Sequence, residues 1–225
     1  MLALLAGLIT GYQASKMVTM QLVFLRPGEN MNPLPKNLHE VAMKRHLDGL
    51  KELWSSGQAV AVGPMESSDY EGLVVLNVKT AEEARELMKN DPFVKSGALK
   101  LDIVPWMLEN TFRKGPDFMD VEKIWFGIFE RPKNAPQYPS EKLKELQAGH
   151  IANLQKMAND GILSAAGPLT SDEKRRGILV FFSKDINQIK KAVAIDPLIR
   201  AKRLELKLIP WWTGKGTVVQ YKPSS

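Results

Sequence analysis

Hydrophobic and polar positions fall in short alternating runs separated by stretches of helical spacing, and the whole order occurs twice along the chain. Residues 19–26 are rich in Leu, Val and Phe and stop at Arg26-Pro27-Gly28, which predicts a strand followed by a turn. Over residues 38–55 the apolar positions Met43, Leu47, Leu50, Leu53 and Trp54 recur at helical spacing, and Gly57 supplies the stop. Residues 58–62 and 72–78 read as strands with a turn at Gly63-Pro64 between them. Thr80 and Glu83 stand as a capping box that opens a helix through Lys89, and Asp91-Pro92 is expected to close it. Leu99, Leu101 and Ile103 then alternate with Lys100 and Asp102 in a last strand that is expected to end at Pro105-Trp106. Strand, helix, strand, strand, helix, strand is the split βαβ, ferredoxin-like plan of an α+β fold.

The second half repeats this plan. His46 and His150, Gly57 and Gly161, and Gly63-Pro64 and Gly167-Pro168 each stand 104 residues apart. Arg26-Pro27 and Arg131-Pro132, Gly72 and Gly177, Asp91-Pro92 and Asp196-Pro197, and Pro105-Trp106 and Pro210-Trp211 each stand 105 apart. Solenoid repeats run to about 20–50 residues, so a period this long makes each copy a whole small domain. The expected organisation is a leader at 1–18, a domain at 19–107, a linker at 108–121, a second domain at 122–213 and a polar tail at 214–225. Both helices of such a unit cover one face of its sheet. The third strands are nevertheless apolar at consecutive positions, Leu73-Val74-Val75-Leu76 and Ile178-Leu179-Val180-Phe181, as burial on both faces requires. The two bare faces are therefore expected to pack sheet on sheet, as an intramolecular pseudo-dimer that could assemble further.

Composition changes this picture little. The 225 residues are 44% hydrophobic and 25% charged, ordinary values for a globular protein. The chain has no cysteine, which excludes disulfides, thiolate metal sites and cysteine nucleophiles. A formal charge of +6 arises partly from Lys174, Arg175, Arg176, Lys190, Lys191, Arg200, Lys202 and Arg203. These read as a solvated face; no nucleic-acid motif accompanies them, so no nucleic-acid partner is expected. The apolar run at residues 2–9 is too short for a membrane span and has the length of a signal h-region, favouring export over a cytoplasmic location.

Most residues kept in both copies have plain structural roles, Trp106 and Trp211 in packing among them. His46 and His150 stand out because each lies on or beside an apolar helical stripe. Asp91 and Asp196, each before a proline, are expected at a helix C-terminus, where the negative end of the dipole disfavours a carboxylate. An imidazolium nearby would offset that cost, and a His–Asp pair is a workable acid/base unit near neutral pH. Arg26 and Arg131 end their first strands and could grip an anionic group, while a glycine at Gly63-Pro64 or Gly167-Pro168 lets a ligand approach the backbone. Each copy offers too few ligands for a metal site.

These residues together resemble the YciI-like, or YCII-related, family: a strand ending near Arg, the helix histidine followed by Gly and Gly-Pro, Asp91-Pro92-Phe93, and a closing Pro-Trp. Asp196-Pro197-Leu198 departs from the pattern at its third position. The resemblance implies a dimeric α+β barrel of ferredoxin-like units, here supplied by one chain, with His46 beside Asp91 and His150 beside Asp196 as the site. It suggests a lyase or isomerase that needs no cofactor, acting on an anionic or phenolic small molecule. The alternatives are a non-catalytic ligand-binding or accessory protein with structural His–Asp pairs and, by fold analogy alone, oxygenase chemistry.

Overall fold

The computed structural model describes residues 17–30, 35–109 and 111–220, so nearly all of the expected leader lies outside the described residues. The first half runs β1 (Met17–Pro27), α1 (Lys36–Ser55), β2 (Ala59–Pro64), β3 (Gly72–Leu76), α2 (Ala81–Met88), α3 (Pro92–Lys95) and β4 (Leu99–Glu109). The second runs β5 (Val121–Glu130), α4 (Ser140–Asn159), β6 (Leu163–Pro168), β7 (Arg175–Phe181), α5 (Ile186–Ala194), α6 (Pro197–Arg200) and β8 (Glu205–Gly214). The result is an α+β fold with two four-stranded antiparallel sheets, ordered β2-β3-β1-β4 and β6-β7-β5-β8.

Period-two alternation sorts the strands into layers. Met20, Leu22 and Phe24 on one face of β1 join Phe126, Ile128, Ile178, Val180 and Ile209 of the second sheet in one shared core. Val23 and Leu25, on the other face of β1, pack with Leu50, Ala84 and Met88 beneath α1 and α2. Phe129, Leu179 and Phe181 do the same beneath α4 and α5 with Leu146, Met157, Ile189 and Val193. The two sheets thus bury one face against each other and the opposite face against helices.

The sheets also meet at their edges, and here several expectations need correction. Gly63-Pro64 is no turn but the end of β2, with Gly63 paired to Leu73 and Pro64 to Gly72. β4 does not stop at Pro105 but continues to Glu109, and β8 passes Pro210 to Gly214. β4 and β8 are outer strands of their own sheets, where a proline removes no ladder hydrogen bond. The Pro210 carbonyl accepts from Glu66 N at 2.9 Å and the Pro105 carbonyl from Thr170 N at 3.3 Å, so each outer strand is covered by the opposite sheet. Trp211 Nε1 donates to Gly63 O and Trp106 Nε1 to Gly167 O, each at 3.2 Å, and both indoles are fully buried. Residues expected as linker and tail also pack: Phe112 forms a bridge with Val218, and both join the shared core.

Candidate functional site

Each histidine projects from the long helix of its half toward the short helix that follows the Asp-Pro pair. His46 Nδ1 stands 2.5 Å from Asp91 Oδ2, and His150 Nδ1 stands 2.7 Å from Asp196 Oδ2. The aspartates do not close the preceding helix, which ends at Met88 in the first half and Ala194 in the second. They cap the next one, with Pro92 and Pro197 in its first turn where a missing N–H costs nothing. Asp91 Oδ1 accepts from Phe93 N at 2.9 Å and from Val94 N at 3.3 Å; Asp196 Oδ1 accepts from Leu198 N at 2.9 Å. The carboxylates therefore face the positive end of a helix, the reverse of the expected dipole arrangement.

Asp196 is fully buried, and Asn153 Nδ2 approaches its Oδ2 at 3.4 Å. Burial opposes its ionisation, but the His150 hydrogen bond and charge, the Leu198 amide and Asn153 outweigh it and hold the carboxyl below the usual range. An ionised carboxylate can only accept, so His150 Nδ1–H donates to Asp196 Oδ2. Neither Nε2 has a hydrogen-bond partner among the described residues, and neither is a sealed unpaired atom, so both reach solvent. Phe93 and Phe129 hold the rings edge-on, with centroids at 5.5 and 5.4 Å.

The other expected site residues do not join these pairs. Arg26 is half-exposed; its Nη1 lies 3.3 Å from Asp102 Oδ2 and its guanidinium rests over Tyr70. Arg131 donates its backbone N–H to Lys174 O, and its Nε is buried without a partner. Gly63, Pro64, Gly167 and Pro168 lie at the sheet-to-sheet contact: a Cβ on Gly63 would come within 1.6 Å of Trp212 O, and one on Gly167 within 1.8 Å of Met107 O. The basic run read as a solvated face is partly buried as well. Arg175 grips Asp102 with both terminal nitrogens, at 2.8 and 2.9 Å, and Asp172 through Nε at 2.6 Å.

Two recesses were invisible in the sequence. A cleft of about 930 Å³ opens on the helix-covered side of the second sheet, between α5 and β8. Trp125, Ile186, Val193, Leu204, Leu206 and Leu208 give it apolar walls. Lys190 and Lys202 line it too, and neither has an ion-pair partner among the described residues. A second cleft of about 740 Å³ lies beside Glu122, Phe182, Lys184 and residues 215–220. Neither cleft is lined by His46 or His150.

A ferredoxin-like α+β fold with two sheets in contact defines the structural class, and comparison with known proteins places it among the chlorite dismutase-like folds. Residues 23–107 match the model of the YCII-related domain, as a single copy. A heme-binding protein from Thermus thermophilus is similar at 16% identity over 87% of this chain and 92% of its own, with a TM-score of 0.55. A mutant chlorite dismutase from Candidatus Nitrospira defluvii is similar at 11% identity over 87% and 91%, with a TM-score of 0.56. No curated protein matches the chain.

These likenesses overturn the expectation of a cofactor-independent lyase or isomerase working through a His–Asp acid/base pair: the proteins of this shape are described as heme-binding and as chlorite dismutase. Heme iron takes an axial ligand from His, Cys, Met or Tyr. None of these residue types lines either cleft, so the residues do not fit an iron-ligated heme there. Among the described residues no group of three or more His, Cys, Asp or Glu could hold a metal ion, and no helix is long and apolar enough to cross a membrane.

Proposed function

We propose that this protein binds an amphipathic, carboxylate-bearing small molecule of about tetrapyrrole size in the cleft between α5 and β8. The observation that carries this reading is the cleft itself: a floor of Leu204, Leu206 and Leu208, an aromatic wall at Trp125, and two unpaired lysines, Lys190 and Lys202. Its volume of about 930 Å³ lies within the range of about 300–1,000 Å³ usual for small-molecule sites. The ligand would lay its flat apolar body along the leucines and turn its anionic groups to the lysines. Tetrapyrroles enter as a class because a protein of similar shape is described as heme-binding; at 16% identity that likeness concerns the fold. With no iron ligand in the walls, the cleft would hold the macrocycle and not the metal. The His–Asp pairs then serve as ties between the long helix and the capped turn of each half.

The test is a titration with hemin and with iron-free protoporphyrin, followed by Trp125 quenching and the Soret band. Both should bind with affinities within about three-fold of each other, since no axial bond favours the iron form. Lys190→Gln with Lys202→Gln should weaken both about five-fold or more. Failure of either to bind, or hemin binding that depends on His46 or His150, would sink the proposal.

We infer further that 19–107 and 122–213 are two copies of one βαββαβ unit, joined by 108–121 and closed on each other as a pseudo-dimeric α+β barrel. The 104- and 105-residue spacings and the matching strand orders support this. Two separately expressed halves should then assemble into a one-to-one complex, and halves that never associate would refute it. Residues 1–18 are proposed as an export leader with 214–225 as the tail; N-terminal sequencing of the mature protein that finds Met1 still in place refutes the leader.

A further inference from the structure

Antiparallel pairing brings three chain segments to one end of the second sheet. Glu130, the last residue of β5, faces Arg175 of β7 on one side and Glu205 of β8 on the other. Arg131, Arg176 and Arg203 therefore come from three adjacent strand ends, although they are far apart in sequence. Their neighbours Arg175 and Lys174 are spoken for, by Asp102 and Asp172 and by Glu130. The three arginines are not.

None of the three forms an ion pair with a carboxylate among the described residues. Arg203, 8% exposed, donates Nη1 to Pro136 O at 2.6 Å. Arg176 donates Nη1 to Asp172 O at 3.3 Å. Arg131 has its Nε buried with no hydrogen-bond partner among the described residues. Burial first, and then the charge of Arg131, destabilises the protonated form of both Arg176 and Arg203; Asp172 and Glu173 offset part of this at Arg176, and Tyr138 part of it at Arg203. Three like charges held together under a loop, one with an orphaned donor, are costly unless an anion completes them. Tyr138 adds a hydroxyl in the same loop, its Oη 3.4 Å from Ala201 O.

We propose that Arg131, Arg176 and Arg203 form a binding site for a small oxyanion, a phosphate or carboxylate group, at the end of the second sheet. Planar guanidinium forks match either group with paired N–H donors. The proposal deepens the cleft reading, because Pro132, Lys202 and Leu204 line the cleft and flank Arg131 and Arg203 in the chain, and Pro136, whose carbonyl accepts from Arg203, lines it too. An anionic end of the cleft's ligand would be read here. The anion site stands separately, however, since it needs no apolar ligand to be detected.

The experiment is thermal unfolding and calorimetry of the full chain with inorganic phosphate, and in a second arm acetate, against chloride at equal ionic strength. At least one oxyanion should raise Tm saturably above the chloride control, and Lys144→Gln, on the exposed face of α4, should respond as the wild type does. Arg131→Gln should bind about ten- to one-hundred-fold more weakly, the fold-change of one charge-assisted hydrogen bond. Without oxyanion it should be no less stable than wild type, because like charges have been separated. If Arg131→Gln does not fold, Arg131→Lys keeps the charge, loses the fork, and should show about a ten-fold loss. No oxyanion effect beyond chloride, an undiminished effect in the Arg131 variants, or an equal loss in Lys144→Gln would overturn the site. Porphyrin binding without any oxyanion effect would overturn it while leaving the cleft reading intact.

Discussion

Replacing Asp196 by alanine takes away three hydrogen bonds at once: the cap on Leu198 N, the His150 bond and the long contact from Asn153. Loss of a side-chain cap costs about 1 kcal/mol. Loss of a hydrogen bond to a charged group, with the partner left buried, costs about 1.5–3 kcal/mol more. The expected sum is about 3 kcal/mol, and in a chain of this length each kcal/mol lowers Tm by about 2–4 °C, so the shift should be about 6–12 °C. Asp196→Asn keeps a capping oxygen and should lose only about half of that. Circular dichroism melts across pH sharpen the test. The Asp196 carboxyl is held below its unfolded value, near 3.9 for an ordinary aspartate. A depressed folded value means that the stabilisation is complete above the unfolded value and is lost as pH falls through the folded one. The gap between wild type and Asp196→Asn should therefore narrow only at strongly acidic pH. A shift under about 2 °C for Asp196→Ala, or a gap that persists unchanged through acid, would refute the reasoning.

Other perturbations probe the contact between the sheets. Gly63→Ala places a Cβ 1.6 Å from the Trp212 carbonyl, a backbone atom that cannot turn aside, so a loss of about 3 kcal/mol or more is expected in denaturant melts; a near-neutral result would refute the close approach. Trp211→Phe removes the donor to Gly63 O in a fully buried setting and should cost about 1–3 kcal/mol in the same assay, so an unchanged midpoint counts against that bond. Arg175→Met strips Asp102 and Asp172 of their common partner and should cost about 3 kcal/mol, with faster amide exchange in β4 and β7; exchange that rises only in the 170–174 loop would contradict a bridge between sheets.

Much of the secondary structure was legible because its causes are local. Leu99, Leu101 and Ile103 alternate as a strand must, and Thr80 Oγ1 accepts from Glu83 N at 3.1 Å as the capping box predicts. The misread positions in the sheets share one cause: their conformation depends on which strands and which opposite sheet lie beside them. Gly63-Pro64 reads as a turn until Trp211 and Trp212 are placed beside it, and Pro105 reads as a strand end until the strand proves to be an outer one. Asp91-Pro92 reads only as an ending, since the following helix has four residues and no periodicity to announce it.

Sequence by itself determined the order of the strands and longer helices, the apolar faces and the choice of His46, His150, Asp91 and Asp196, because spacing along a chain encodes which side chains share a face. Tertiary structure alone decided what those faces meet. Arg131, Arg176 and Arg203, or Trp125 and Lys190, come together only where separate strands and helices converge, and no local periodicity records distances across a sheet. The charged run at 174–203 illustrates the division: its composition is visible in a line of letters, but which arginines are paired and which are orphaned depends on burial, and burial is a property of the packed whole.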